Sequence, residues 1–288
     1  MLAVSYLLAM SFLLVALAGP AMADETPTLD RIKKKAAVTF GYREASPPFS
    51  FLASDGQPAG YSVDLCRKIA TVLKSAIGLA DLKVSWVAVT PGDRVGKLQR
   101  GAIDLECGST TVTFERLQQV AFTHMTFVDG GSVLATASSG IRGVKDLTGK
   151  RVGVIPNTTT DKALATAIAA LSVKPEIVHV TETREGLQGL EAGRLDAYAS
   201  DHLVLASLLS TARNPAALKL SEDYFSYEPY ALMLRRADPS FQVQVNRTLS
   251  ALYRSGAVVE IYERWFGSFN EVSPLMRSLY ILHSWPDS

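Results

Sequence analysis

The segment Thr111-Val112-Thr113-Phe114-Glu115-Arg116 places hydroxyls and backbone amides at a helix start and adds a guanidinium one turn later. Such a spot suits a carboxylate: helix N-terminal amides supply donors and dipole, and an arginine fork can hold both oxygens at once. The plainer alternative is a capping Thr113, with Arg116 paired to Glu115 or to solvent. A second group of hydroxyls and amides, Pro156-Asn157-Thr158-Thr159-Thr160-Asp161, follows an apolar strand pattern and precedes the helical run Lys162 to Leu171. It offers another ligand edge, or simple N-capping by Thr160 or Asp161. Asp201 stands where the strand pattern Ala197 to Ser200 gives way to a helix, so it either caps that helix or meets a ligand ammonium.

Other chemistries find little support. His124, His179, His202 and His283 are scattered without metal-ligand spacing, so no metal site is indicated. Cys66 and Cys107 are too far apart for a CxxC redox motif or a local zinc knuckle. They read either as one disulfide in an oxidising compartment or as two buried thiols acting as small hydrophobes. Twenty-nine basic and 28 acidic residues are spread along the chain for a net charge of +1, which creates no field to gather nucleic acid or anionic lipid. The expected partner is a small molecule, bound without a cofactor.

The chain opens with an apolar run from Leu2 to Ala18, then small residues ending in Ala21-Met22-Ala23. This reads as a secretory signal cleaved after Ala23. A basic n-region is missing, which leaves an uncleaved N-terminal anchor as the competing reading. Pro20 stands where a lipoprotein would need a cysteine. The remainder of the 288 residues is long enough for two lobes, each with a core of its own.

Stretches rich in β-branched and apolar residues predict strands at Val38 to Tyr42, Val84 to Val89, Ser132 to Thr136, Arg151 to Ile155, Ile177 to Val180 and Ala197 to Ser200. The clearest helix runs from Tyr61 to Ile77, with Leu65, Ile69, Val72, Leu73 and Ile77 on one stripe, Ser62 placed to cap and Gly78 ending the run. Strand and helix alternate, which argues an α/β class. A fresh strand-loop-helix opening at Asp146 to Val154 divides the pattern into two α/β lobes, with ligands expected where strand ends meet helix starts. The apolar tail beyond Phe266 is expected to pack back onto a lobe.

Six pieces in sequence order carry a resemblance: GYREASPPFS (41–50), GYSVDL (60–65), RGAIDLECGSTTVTFER (100–116), DLTGKRVGVIPNTTTDKAL (146–164), GRLDAYASD (193–201) and YERWF (262–266). Together they resemble the periplasmic family 3 solute-binding proteins of polar amino acid ABC transporters, and ECGSTT with GYRE is most similar to the glutamate/aspartate binders. The resemblance implies a type II clamp with two crossover strands, near Asp129 to Ser132 and Tyr224 to Pro229. Lobe 1 would comprise residues 24–130 and 227–288, and lobe 2 residues 131–226. It also implies a monomer that delivers an amino acid to an inner-membrane ABC permease.

By that analogy Arg116 takes the ligand α-carboxylate with help from Thr111 and Thr159, while Ser109 and Asp201 take the α-ammonium. Arg43 and Arg94 fall where acidic-amino-acid binders place cations for the side-chain carboxylate. Their alternatives are ion pairs with the neighbouring Glu44 and Asp93. Counting three arginines against Asp201 leaves a positive surplus that an acidic ligand offsets and a neutral one does not. Pro91 departs from the family pattern, in which a hydroxyl residue at this place helps hold the distal carboxylate; Thr183 or Arg184 could approach that end instead. Competing functions are a hydro-lyase of the arogenate or cyclohexadienyl dehydratase type with Glu106 or Glu44 as its acid, a binder of neutral glutamine or asparagine, and a sensory clamp.

Overall fold

The computed structural model describes residues 27–267 and 271–287. The leader expected at residues 1–23 lies outside them. The chain begins with α1 (Thr28–Lys35) and β1 (Ala37–Tyr42), then a small antiparallel sheet of β2 (Ala45–Ser46), β3 (Ser50–Leu52) and β4 (Pro58–Ala59). Next come α2 (Tyr61–Ala76), β5 (Lys83–Ala88), α3 (Arg94–Gln99), β6 (Leu105–Glu106), α4 (Phe114–Leu117) and β7 (Ala121–Asp129). A second series follows: β8 (Gly131–Thr136), β9 (Arg151–Val154), α5 (Thr159–Leu171), β10 (Glu176–His179), α6 (Thr183–Glu191), β11 (Ala197–Asp201), α7 (His202–Thr211) and β12 (Leu218–Leu220). The chain closes with β13 (Glu228–Leu234), α8 (Pro239–Ser255), α9 (Ala257–Phe266) and α10 (Pro274–Leu282).

Two five-stranded sheets organise the molecule, in the orders β5-β1-β6-β13-β7 and β10-β9-β11-β8-β12. Each combines three parallel strands with two that run antiparallel to their neighbours. The chain leaves the first sheet at Asp129 and enters the second at Gly131, so Gly130 alone separates β7 from β8. It returns after β12 and begins β13 at Glu228, paired opposite Asp129.

Local chemistry explains the helix that anchors the first sheet. Gly60, the residue before α2, has φ 125° and lies so close to Phe49 that any side chain would collide with the Phe49 carbonyl. Leu65, Cys66, Ile69 and Leu73 are buried, but Val72 is 41% exposed. At about 100° per residue, Val72 falls roughly a quarter turn from the centre of the buried face, so it leaves the expected stripe. Ser62 lies inside the helix and does not cap it. Cys66 and Cys107 are joined in a disulfide that ties α2 to the end of β6, which decides between the two readings of that pair.

The tail packs back through α10. Met276, Leu279 and Tyr280 are buried, and the Tyr280 hydroxyl lies 3.0 Å from that of Tyr61. No helix among the described residues is long and apolar enough to cross a membrane, and no group of three metal-ligating side chains occurs among them.

Candidate ligand-binding site

A cleft between the two sheets is walled by the carboxyl ends of strands and the starts of helices. From the first sheet come Arg43 just past β1, Ser46, Pro91, Arg94 at the head of α3, Ser109 and Thr111. The opposite wall carries Ile155, Thr158 to Thr160 at the head of α5, Thr183 at the head of α6, Tyr198 to Asp201 of β11, and Val204. Its interior volume is about 40 Å³. One water-sized position needs roughly 10–15 Å³, so the space holds about three of them.

Arg94 is 4% exposed and donates through a terminal guanidinium nitrogen to the Thr110 hydroxyl at 2.5 Å. Asp93 is instead paired with Lys97 at 2.8 Å, because on a helix i and i+4 share a face and i and i+1 do not. Arg43 is 6% exposed; its backbone amide donates to Ser50, while its guanidinium makes no hydrogen bond among the described residues. Burial, then the nearby Arg94 charge, lower its pKa. Glu44 is exposed and does not line the cleft.

Across the cleft, Thr111 donates to Glu228 Oε2 at 2.6 Å and lies 3.1 Å from the Thr159 hydroxyl. A hydroxyl has one proton, so Thr159 is the donor in that second contact. Arg116 does not line the cleft. It stands behind Thr111, donating to the Thr111 carbonyl at 2.8 Å, and burial with the Arg94 charge lowers its pKa to about 10. Thr113 does cap α4, accepting from the Arg116 amide, while Glu115 pairs with Lys162 of α5 at 2.6 Å.

Asp201 is fully engaged. Oδ1 accepts from Thr160 at 2.8 Å and Oδ2 from the Tyr230 hydroxyl. Burial first, then Glu228, raise its pKa to about 6. It does not cap α7 with its side chain; Asp129 does so, accepting from the Leu203 amide at 3.1 Å. The cap of α5 is Thr158, bonded to the Asp161 amide, and neither Thr160 nor Asp161 serves. Thr160 is freed to hold Asp201, a link that depends on tertiary packing and leaves no sequence pattern.

Six of the seven expected ligand residues therefore line one cleft, with Arg116 immediately behind it. Of the two residues weighed for the distal end, Thr183 lines the cleft and Arg184 does not. Thr158 and Thr160 line it as part of the loop expected to offer a second ligand edge, and Ser46 and Tyr198 are additions. The charge count changes as well: Glu106 and Glu228 are both buried, so three arginines face three carboxylates rather than one. Both acids sit on strands whose apolar neighbours read simply as core. Among the described residues no histidine, lysine or cysteine lines the cleft, and its one side-chain carboxylate is that of Asp201.

Residues 38–268, spanning both sheets and every wall of the cleft, match the model of the bacterial extracellular solute-binding proteins, family 3. The chain belongs to that family. This family 3 binding protein is 35% identical over 262 residues to an L-glutamate/L-aspartate-binding protein of Pseudomonas aeruginosa, covering 90% of this chain and 87% of the other. It is 32% identical over 254 residues to a glutamate/aspartate import solute-binding protein of Escherichia coli, covering 86% and 84%. Among solved structures, an ancestral amino acid-binding protein described as a precursor of cyclohexadienyl dehydratase matches with a TM-score of 0.72 at 28% identity, covering 83% of this chain and 99% of that one. The two-lobed type II α/β fold follows from these likenesses and from the paired sheets.

Proposed function

We propose that this protein captures an acidic amino acid, glutamate or aspartate, in the periplasm and hands it to an inner-membrane ABC permease. The observation that carries the reading is the polarity of the cleft. Two buried guanidinia, those of Arg43 and Arg94, line it together with the Asp201 carboxylate, and the Arg43 guanidinium makes no hydrogen bond among the described residues. An unpaired buried charge costs several kcal/mol, which a ligand carboxylate offsets. The names of the two relatives above point the same way.

In this reading Arg43 and Arg94 hold the side-chain carboxylate. Arg116, Thr111 and Thr159 hold the α-carboxylate, and Ser109 and Asp201 the ammonium. Arg116 reaches the ligand by giving up its bond to the Thr111 carbonyl. Lobe 1 comprises residues 24–130 and 227–288, and lobe 2 residues 131–226, with a signal cleaved after Ala23 and a monomeric mature chain. The ligand bridges both walls and so stabilises the closed clamp over the open one. The protein acts as a carrier without turnover: Glu106 and Glu44, the acids considered for a hydro-lyase, do not line the cleft.

Calorimetric titration of ligand-stripped protein with glutamate, aspartate, glutamine, asparagine and arogenate tests this. Tight 1:1 binding of an acidic amino acid is expected. Preference for an amide rejects the acidic pocket, and sustained heat from arogenate turnover makes the protein an enzyme.

A further inference from the structure

Glu106 lies on β6, between β1 and β13, with no exposed surface. Its Oε2 accepts from Thr110 at 2.7 Å, and the same Thr110 oxygen accepts from Arg94. Its Oε1 has no hydrogen-bond partner and sits 3.9 Å from the Arg94 guanidinium. A buried carboxylate oxygen without a donor is unfavourable, and buried polar atoms are ordinarily satisfied. Gly108 makes room for it: a methyl group there would collide with Oε1 and press on the Arg43 side chain. The chain thus keeps a fixed negative charge against the cation that faces the cleft, where an apolar residue would pack a sheet equally well.

We infer that Glu106 is a specificity-determining residue, a built-in competitor for Arg94 that sets how strongly the cleft prefers an acidic over an amide side chain. The inference rests on the acidic-ligand reading given above. Glu106 and the ligand's side-chain carboxylate share one guanidinium. Their mutual repulsion lowers affinity for the acid, whereas an amide of the same shape feels none of it. The chain Arg94–Thr110–Glu106 holds the guanidinium in place.

Glu106→Gln keeps the shape and removes the charge. Glutamate and glutamine are titrated calorimetrically into wild type and variant, with thermal melts run alongside. The ratio of glutamate to glutamine affinity should rise about tenfold or more, the scale on which a unit charge several ångströms away acts in a partly screened site. An unchanged ratio, or an equal fall for both ligands, overturns the inference even though the acidic-ligand reading stands. A wild type that does not bind glutamate refutes that reading and the inference with it. Should the variant fail to fold, Glu106→Met, apolar and of similar length, decides by the same two titrations: the glutamate-to-glutamine ratio should again rise, and an unchanged ratio overturns the inference.

Discussion

Thr111 and Thr159 meet hydroxyl to hydroxyl at 3.1 Å across the cleft, one leading toward α4 and the other in the first turn of α5. Because Thr111 gives its proton to Glu228, the contact is directional, from the second wall to the first. An exposed Lys162–Glu115 pair bridges the same mouth, but exposed pairs contribute at most about 1 kcal/mol. The walls thus meet without a strong lock, and a ligand carboxylate accepting from Thr159, and from Thr111 once it releases Glu228, would supply the missing energy.

Arg116→Ala should abolish measurable calorimetric binding of every amino acid. The α-carboxylate would lose its fork, a loss of about 3–5 kcal/mol, or roughly several hundred-fold and more, for removing one partner of a buried ion pair. The melting curve should change little, since Arg116 is only partly buried. Tight glutamate binding by this variant would sink the proposed role.

Arg43→Ala should act on selectivity. Glutamate affinity falls by about 1.5–3 kcal/mol while glutamine affinity changes less, so competition titrations should show the two drawing together. An unchanged ratio would place the ligand's side chain elsewhere.

Ligand affinity should fall as pH drops from 7 to 5. Asp201, raised to about 6, takes up a proton across that range and can no longer pair with the ligand ammonium as a carboxylate. Asp201→Asn should bind weakly throughout and lose the pH dependence. A wild-type affinity flat over this interval would argue against Asp201 as the ammonium partner.

Stability of the ligand-free protein should run the other way. Burial, and next the Asp201 charge, raise Asp129 to about 8. Between pH 4 and 8 the native state therefore holds a proton that the unfolded chain releases, and stability declines as pH rises through that window. Unfolding free energy should be greater at pH 6 than at pH 8.5 by on the order of 1–3 kcal/mol, seen as a higher melting temperature at pH 6. Asp129→Asn, which still accepts from the Leu203 amide, should flatten the dependence.

Reducing the Cys66–Cys107 bridge, which closes a sequence separation of 41 residues, should cost about 4 kcal/mol by chain-entropy reasoning. The check is denaturant unfolding with and without reductant, and an unchanged midpoint would contradict it.

The sequence made some of this legible and hid the rest for identifiable reasons. Edge and parallel strands such as Arg151–Val154 showed plainly as short runs rich in valine and isoleucine. The two longest strands did not. Ala121–Asp129 carries Thr123, His124 and Thr126, which tertiary contacts bury, and Glu228–Leu234 opens with Glu-Pro and contains no β-branched residue. Strand preference is largely a matter of packing against neighbours, and those neighbours are remote in sequence. In the cleft, the hydroxyl-rich helix starts around Thr111 and Thr159 were readable as either caps or ligand edges, and Arg43 and Arg94 only through the family resemblance. Glu106 and Glu228 were not, because a buried acid is recognised by what surrounds it.

The placement of β13 also orders events in time. It lies between β6 and β7, yet it is made about a hundred residues after β7. The second sheet is assembled from one unbroken stretch, residues 131–220, and needs nothing that comes later. As the chain emerges from its N-terminus, that sheet can therefore fold while the first still has a gap between β6 and β7. Contacts between segments distant in sequence are slow to form, so closing this gap should limit maturation. A destabilising substitution in β13 would then prolong the life of a half-built molecule, with β6 and β7 each exposing an unpaired strand edge open to a second copy.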